Sequence, residues 1–291
     1  MSPYLIPNLT PGEDLKYGTD IEFFIEFDGA PAPAGLILPF QGMLGTDNHG
    51  NSRGMRDTGE IRTRTFTDVT EIVRDVARAL NTLYEHVLTT ATGRARRIAP
   101  VVFLTGHFHH GRSIGGHVHF SSLWFSRPAF THAVRLLFGW ANAFMNRYDD
   151  LNQMTSRAQA GYLVSAWENS TRVKEPSMGI ELYHWEFRQW GSFLLSPLYC
   201  YTVLALSKII VMNCLMTTSE QTILRLPTGL MFAESPEKIE QILAEFPIRT
   251  PDLQMLGYAF RQLEETREEM RERWSADFME LWRDAPSPLA V

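Results

Sequence analysis

The chain has 291 residues, 44% of them hydrophobic and 12% aromatic, enough apolar material for one large core or two modest ones. A formal net charge of −6 excludes a sequence-wide attraction for nucleic acid or an anionic membrane surface, though not a local basic patch. The two cysteines, Cys200 and Cys214, fall in one expected helix about 21 Å apart at helical rise and cannot pair, which reads as a reduced, cytoplasmic-type protein.

Residues 1–18 show no basic segment leading into an apolar one, so no secretory signal is expected. TDIEFFIEF (19–27) is aromatic and β-branched and predicts a strand. DGAPAPAG (28–35) predicts a turn or short loop, and the polar, Gly-rich stretch over 45–59 predicts a long loop of the kind that is often functional. GEIRTRT (59–65) alternates as a strand. Thr67-Asp68 then caps a helix over 69–90, with apolar residues at helical spacing from Ile72 to Leu83.

VVFLTGH (101–107) and IGGHVHFSS (114–122) read as a strand pair joined by FHHGRS. Pro128 opens a helix to about 147, GIELYHWEFRQW (179–190) reads as a strand, and a short helix is expected near 236–245. The apolar run 196–216 has the length of a membrane span, but Lys208, Asn213 and several hydroxyl residues argue for a buried helix. A charged helix over 252–283 closes the chain, docked by Leu256, Phe260 and Leu263. Early strands, long helices and the 101–122 pair predict an α+β fold with a largely antiparallel sheet.

Residues i and i+2 of a strand share a face. Asp20 and Glu22 form one such pair, with Glu26 beyond them and Ile21, Phe23, Ile25 and Phe27 on the opposite face. His117 and His119 form a second pair behind Gly115 and Gly116, glycines that permit close approach of a ligand or backbone. Glu186 and Arg188 form a third, with His184 on their face in a strand otherwise rich in Trp and Phe. Glu60 adds a carboxylate with Arg62 and Arg64 on its side. Each pair alone also fits a solvated face or an in-sheet ion pair. Four strands aiming such groups at one face form a coherent site, with carboxylates and imidazole for a hard divalent cation and arginines for phosphate.

The ordered motifs D-x-E (GTDIEFF), D-x-x-E-I-R, G-G-H-V-H-F-S and E-F-R, over about residues 17–195, resemble the glutamine synthetase and glutamate–cysteine ligase superfamily. The similarity is greatest to its compact amidoligase-like, phage-type COOH–NH2 ligase members. The resemblance implies one amidoligase-like domain over 1–291, with a curved antiparallel catalytic sheet at about 17–195 and a helical part at about 196–291. It implies helices on one face of that sheet, ATP, and two or three Mg²⁺ ions. The implied reaction joins a small-molecule or peptide carboxylate to an amine through an acyl phosphate.

By the same resemblance Asp20, Glu22, Glu60, His117 and Glu186 are metal ligands. His119, Arg188 and Arg172 are catalytic, meeting the phosphates, the transferring group or the acidic substrate. His119, Arg188, Arg62 and Ser121 contact the nucleotide. GIELY offers Glu181 as an alternative to Glu186, and Asp57 is the candidate for a further acid, at the wrong parity for an undistorted strand. No phosphate loop of the G-x-x-x-x-G-K-[ST] type is present. Two other classes compete: an HxH metalloenzyme of cupin type using His107, His109, His117 and His119, and a non-catalytic nucleotide-binding or virion-associated protein that retains the fold.

Overall fold

The computed structural model describes residues 15–38, 42–46, 58–89, 101–122, 144–159, 171–174, 183–216 and 251–284, with positions 141, 235, 237, 238, 241 and 244. Strand β1 (Lys16–Phe27) is the spine of the sheet. Its odd positions from Tyr17 to Ile25 are all 2% exposed or less, while Asp20, Glu22, Phe24 and Glu26 occupy the other face. This alternation gives the sheet one apolar and one polar side.

Strand β2 (Ala30–Ala32) folds back on β1 through Asp28 and Gly29, whose positive φ values of 52° and 73° make the two-residue turn that suits a twisted hairpin. Strands β3 (Leu44–Thr46) and β4 (Thr58–Arg62) extend the sheet on one edge of β1. Strands β8 (Gly116–Ser122), β10 (Tyr183–Trp190) and β9 (Thr171–Lys174) extend it on the other, in the order β3-β4-β1-β8-β10-β9. All pairings among the described strands of this sheet are antiparallel, in line with the expected α+β fold.

The 101–122 region departs from its expected strand pair. Strand β5 (Val101–Leu104) and β8 do not pair with each other; both pair antiparallel with β1, β5 along residues 24–27 and β8 along 16–21. They are two halves of one interrupted strand, because twelve-residue β1 is long enough to template both in tandem. The excursion between them contains only a miniature hairpin, β6 (Phe108–His109) and β7 (Arg112–Ser113), turning on His110 (φ 48°) and Gly111 (φ 79°).

Strand β4 is shorter than the expected 59–65: beyond Arg62 the ladder with β1 gives way to single contacts, Thr63 N–H to Thr19 O at 2.9 Å and an isolated Phe66–Tyr17 bridge. Arg64 N–H donates to Asp75 Oδ2 at 3.0 Å. Asp75 lies on helix α1 (Val69–Thr89), so this bond ties the helix to the end of β4. Asp68 caps α1 as expected, accepting the Thr70 N–H at 2.7 Å.

Helix α1 buries Ile72, Val73, Val76, Ala79, Leu80 and Leu83, and packs with α3 (Pro197–Met216), which is apolar nearly all round. Helix α3 is long and apolar enough to cross a membrane, yet 78% of that stretch is buried inside the fold. It packs on the apolar side of the sheet, where Lys208 Nζ sits 5.6 Å from the centre of the Tyr17 ring. Cys200 and Cys214 are both free, and burial pushes both thiols up.

The expected C-terminal helix is broken into α4 (Pro251–Glu265), α5 (Arg267–Arg273) and α6 (Phe278–Asp284). Trp274 and Asp277 account for the second break. The buried Trp274 indole donates to Tyr148 O at 2.8 Å, and Asp277 restarts the helix by accepting Met279 N–H at 3.0 Å. Of the helix expected over 128–147, positions 141, 144 and 145 are described as α-helical and a 3-10 turn follows at Asn146–Tyr148; near 236–245 only 237, 238, 241 and 244 are described as helical. Helix α2 (Leu151–Gln159) lies in a stretch whose sequence pattern is ambiguous.

Candidate active site

Cross-strand register builds the site. Glu22 on β1 stands opposite Glu60 on β4, Asp20 stands between Arg62 on β4 and His117 on β8, and His119 stands opposite Glu186 on β10. Directly paired residues share a face, so all of these lie on the polar side of the sheet. Beyond Glu186 the backbone register sets Arg172 of β9 opposite it.

Two groups of ligand atoms result, each within 4.8 Å: Asp20, His119 and Glu186, and Asp20, Glu60 and His117. Asp20 belongs to both. His117 Nδ1 is 3.8 Å from Asp20 Oδ2 and 3.6 Å from Glu186 Oε1, and His119 Nε2 contacts Asp20 Oδ1. Burial opposes ionisation of Asp20, but the hydrogen bonds and charges of His117 and His119 outweigh it and hold the carboxyl well below the usual range. Glu60 and Glu186 are each 4% exposed. Carboxylate oxygens joined by one imidazole per group are a hard, anionic donor set that fits Mg²⁺ or Mn²⁺.

Glu22 lies beside these groups without joining either. Its Oε2 accepts the Gly115 N–H at 2.7 Å, which turns the carboxylate toward the start of β8. The glycine pair permits close approach, but of protein rather than ligand. A Cβ on Gly116 would strike the Phe193 ring, and one on Gly115 would sit 3.1 Å from His117 Nε2 and 3.2 Å from an Arg157 nitrogen.

The Arg62 guanidinium, expected to meet phosphate, is turned onto Glu60 and onto the Thr46 carbonyl at 2.8 Å. It thereby shields a site carboxylate and tethers β3. Arg188 remains at the site, its Nε 3.4 Å from Glu186 Oε1. Half-buried Ser121 is two residues beyond His119 on β8. Asp57, Glu181 and positions 47–57 of the expected loop lie outside the described residues.

The four histidines of the cupin alternative do not gather. The His107 ring bonds Asp149 and Arg157 and His109 bonds the Thr105 carbonyl at 2.6 Å, while His117 and His119 sit among the carboxylates.

Two features escaped the sequence reading. Strand β10 contains a bulge: Phe187 pairs with Val118 but Trp190 with Gly116, so Arg188 and Gln189 together oppose His117. The spacing of Trp185, Phe187 and Trp190, two and then three, is its sequence signal, since all three are buried in the same core. Buried Arg157 donates from Nη1 to Trp190 O at 2.7 Å and from Nη2 to Arg188 O at 3.4 Å, clamping that bulge. No local pattern announces it, because its partners are more than thirty residues away in sequence.

Among solved structures, the ligase PafA in its complex with the prokaryotic ubiquitin-like protein Pup matches with a TM-score of 0.60 at 10% identity, over 92% of this chain and 67% of that one. A bifunctional glutathione synthetase from Pasteurella multocida gives a TM-score of 0.44 at 10% identity over 94% and 50% of the two chains. A glutamine synthase homologue gives 0.35 at 13% identity over 92% and 66%. The first of these likenesses supports the fold. No curated protein matches the chain. The sequence model of one family matches residues 17–229, from the start of β1 through the paired strands to beyond α3, and the chain therefore belongs to the phage phiEco32-like COOH.NH2 ligase-type 2 family.

Proposed function

We propose that the protein is an ATP- and Mg²⁺-dependent carboxylate–amine ligase that forms an amide or peptide-like bond through an acyl phosphate. The observation that supports it most is the pair of ligand groups sharing Asp20 on the polar face of an antiparallel sheet. Family membership supplies the carboxylate–amine class.

In this reading a carboxylate oxygen of one substrate bonds to the γ-phosphorus of ATP as the bond to ADP breaks. The amine nitrogen then bonds to the acyl carbon, phosphate leaves, and the nitrogen loses a proton. Mg²⁺, when bound, neutralises charge on the phosphate oxygens. Asp20, Glu60, His117 and Glu186 would hold it, with Glu22 beside them.

The chain's own contribution is positioning and electrostatics. Arg188 offers a fixed positive charge at the edge of the carboxylate cluster, suited to the transferring group. His119 and Ser121 continue the same strand face toward the nucleotide, and Arg172 is the candidate for orienting the acidic substrate. Arg62 acts by holding Glu60.

A thermal melt with ATP and Mg²⁺ tests this reading. Saturation at about 100 times the dissociation constant stabilises the native state by about 2.7 kcal/mol and must raise the Tm. Screening amino acids and amines in pairs should then reveal ATP-dependent phosphate release with a product lighter by one water than its two substrates. Absence of any shift at saturating nucleotide and metal would favour the virion-associated alternative, which needs no nucleotide.

A further inference from the structure

Beneath the polar face lies a second buried polar cluster that the proposed reaction does not use. It runs through four residues from three parts of the chain. Arg157 on α2 is 2% exposed, and its Nη1 lies 3.3 Å from His107 Nδ1. His107 Nε2 lies 2.9 Å from Asp149 Oδ2, and Tyr199 OH donates to Asp149 Oδ1 at 2.5 Å.

The direction of every bond follows from the donors. A guanidinium only donates, so Nδ1 of His107 accepts and the ring proton sits on Nε2, which donates to Asp149. Burial, reinforced by the Asp149 charge, pushes the Tyr199 phenol well above its ordinary value, so it keeps the proton it donates. A cation and a carboxylate are thus joined through one imidazole. Gln153 Oε1 fixes the His107 backbone by accepting its N–H at 2.9 Å. Gly191 leaves room for the ring, since a Cβ there would lie 2.6–2.8 Å from it.

Burying a guanidinium is unfavourable unless its hydrogen bonds are made, and a well-packed apolar side chain is often at least as stable. The placement of this one suggests what it is for. Its nitrogens hold the Trp190 and Arg188 carbonyls across the β10 bulge. The same guanidinium packs against Gly115, whose N–H orients Glu22.

We propose that Arg157, braced by His107, Asp149 and Tyr199, is a positioning residue for the cation site. It locks the bulged end of β10 to the entry of β8, and through those two backbones it sets Glu186, Arg188 and Glu22. This rests on the reading of the polar face as a cation site. Outer partners that orient ligands typically change metal affinity or activity by about 10–100-fold when removed.

The test is direct Mn²⁺ binding to the full chain, followed by loss of the free-ion electron paramagnetic resonance signal, with near-ultraviolet circular dichroism reporting the fold. Arg157→Lys retains charge but cannot bridge two carbonyls and an imidazole. It should raise the Mn²⁺ dissociation constant by about 10–100-fold in folded protein. His107→Phe should do the same, whereas His107→Gln keeps an acceptor and a donor on the side chain and should bind nearly as the parent does. Where Arg157→Lys fails to fold, the two His107 variants decide. Parent-like Mn²⁺ affinity in the folded Arg157→Lys or His107→Phe protein overturns this inference alone. An unsubstituted protein that binds no Mn²⁺ overturns the proposed function and this inference with it.

Discussion

Glu60→Gln and Glu186→Gln should each lower ATP-dependent phosphate release by on the order of 10²–10³, equivalent to about 2.7–4 kcal/mol of lost electrostatic stabilisation. Each substitution preserves shape and removes one negative charge from a different ligand group, Glu60 from the one containing His117 and Glu186 from the one containing His119. Both side chains are buried on the polar face, away from the apolar core, so the fold should survive and the Tm should move only slightly. Steady-state phosphate release together with a thermal melt separates the effects. Full activity in both variants refutes the metal assignment.

Phe23→Ala should show the opposite signature. Phe23 is fully buried on the apolar face of β1, with ring centres of Phe103 and Phe278 at 6.3 and 6.2 Å. Truncating such a ring costs about 3–5 kcal/mol. At about 2–4 °C per kcal/mol that is a Tm drop of roughly 6–20 °C. Folded protein at low temperature should keep its metal affinity, because Phe23 points away from the carboxylates.

Phe23 also accounts for Gly59, its register partner on β4, since a Cβ there would enter the ring. Gly59→Ala should cost about 1–3 kcal/mol by overpacking. Combining it with Phe23→Leu should destabilise by less than the sum of the two single changes, because the sites touch. Chemical denaturation measures all three, and strict additivity would contradict the packing.

The sequence was legible where geometry is local. A period of two on β1, β8 and β10 is enough to put Asp20, Glu22, His117, His119 and Glu186 on shared strand faces, and the cap at Asp68 starts α1 where it should. The rest depends on which strands meet. Tandem pairing of β5 and β8 along β1 is invisible locally, because two short strands separated by a turn look the same whether they pair with each other or share a third. Arg62 lies on the expected face, but its partners Thr46 and Glu60 are a matter of tertiary packing. His107 reads as the last residue of a strand until Asp149 and Arg157, 42 and 50 positions away, close around it.

The most direct test of the central claim is a crystal structure with Mn²⁺ and a non-hydrolysable ATP analogue, with the ions located by anomalous scattering. The account predicts ions within coordination distance of Asp20, Glu60, His117 and Glu186, touching the analogue's phosphates. Ions absent from that face, or nucleotide bound elsewhere with these side chains still paired to one another, would contradict it.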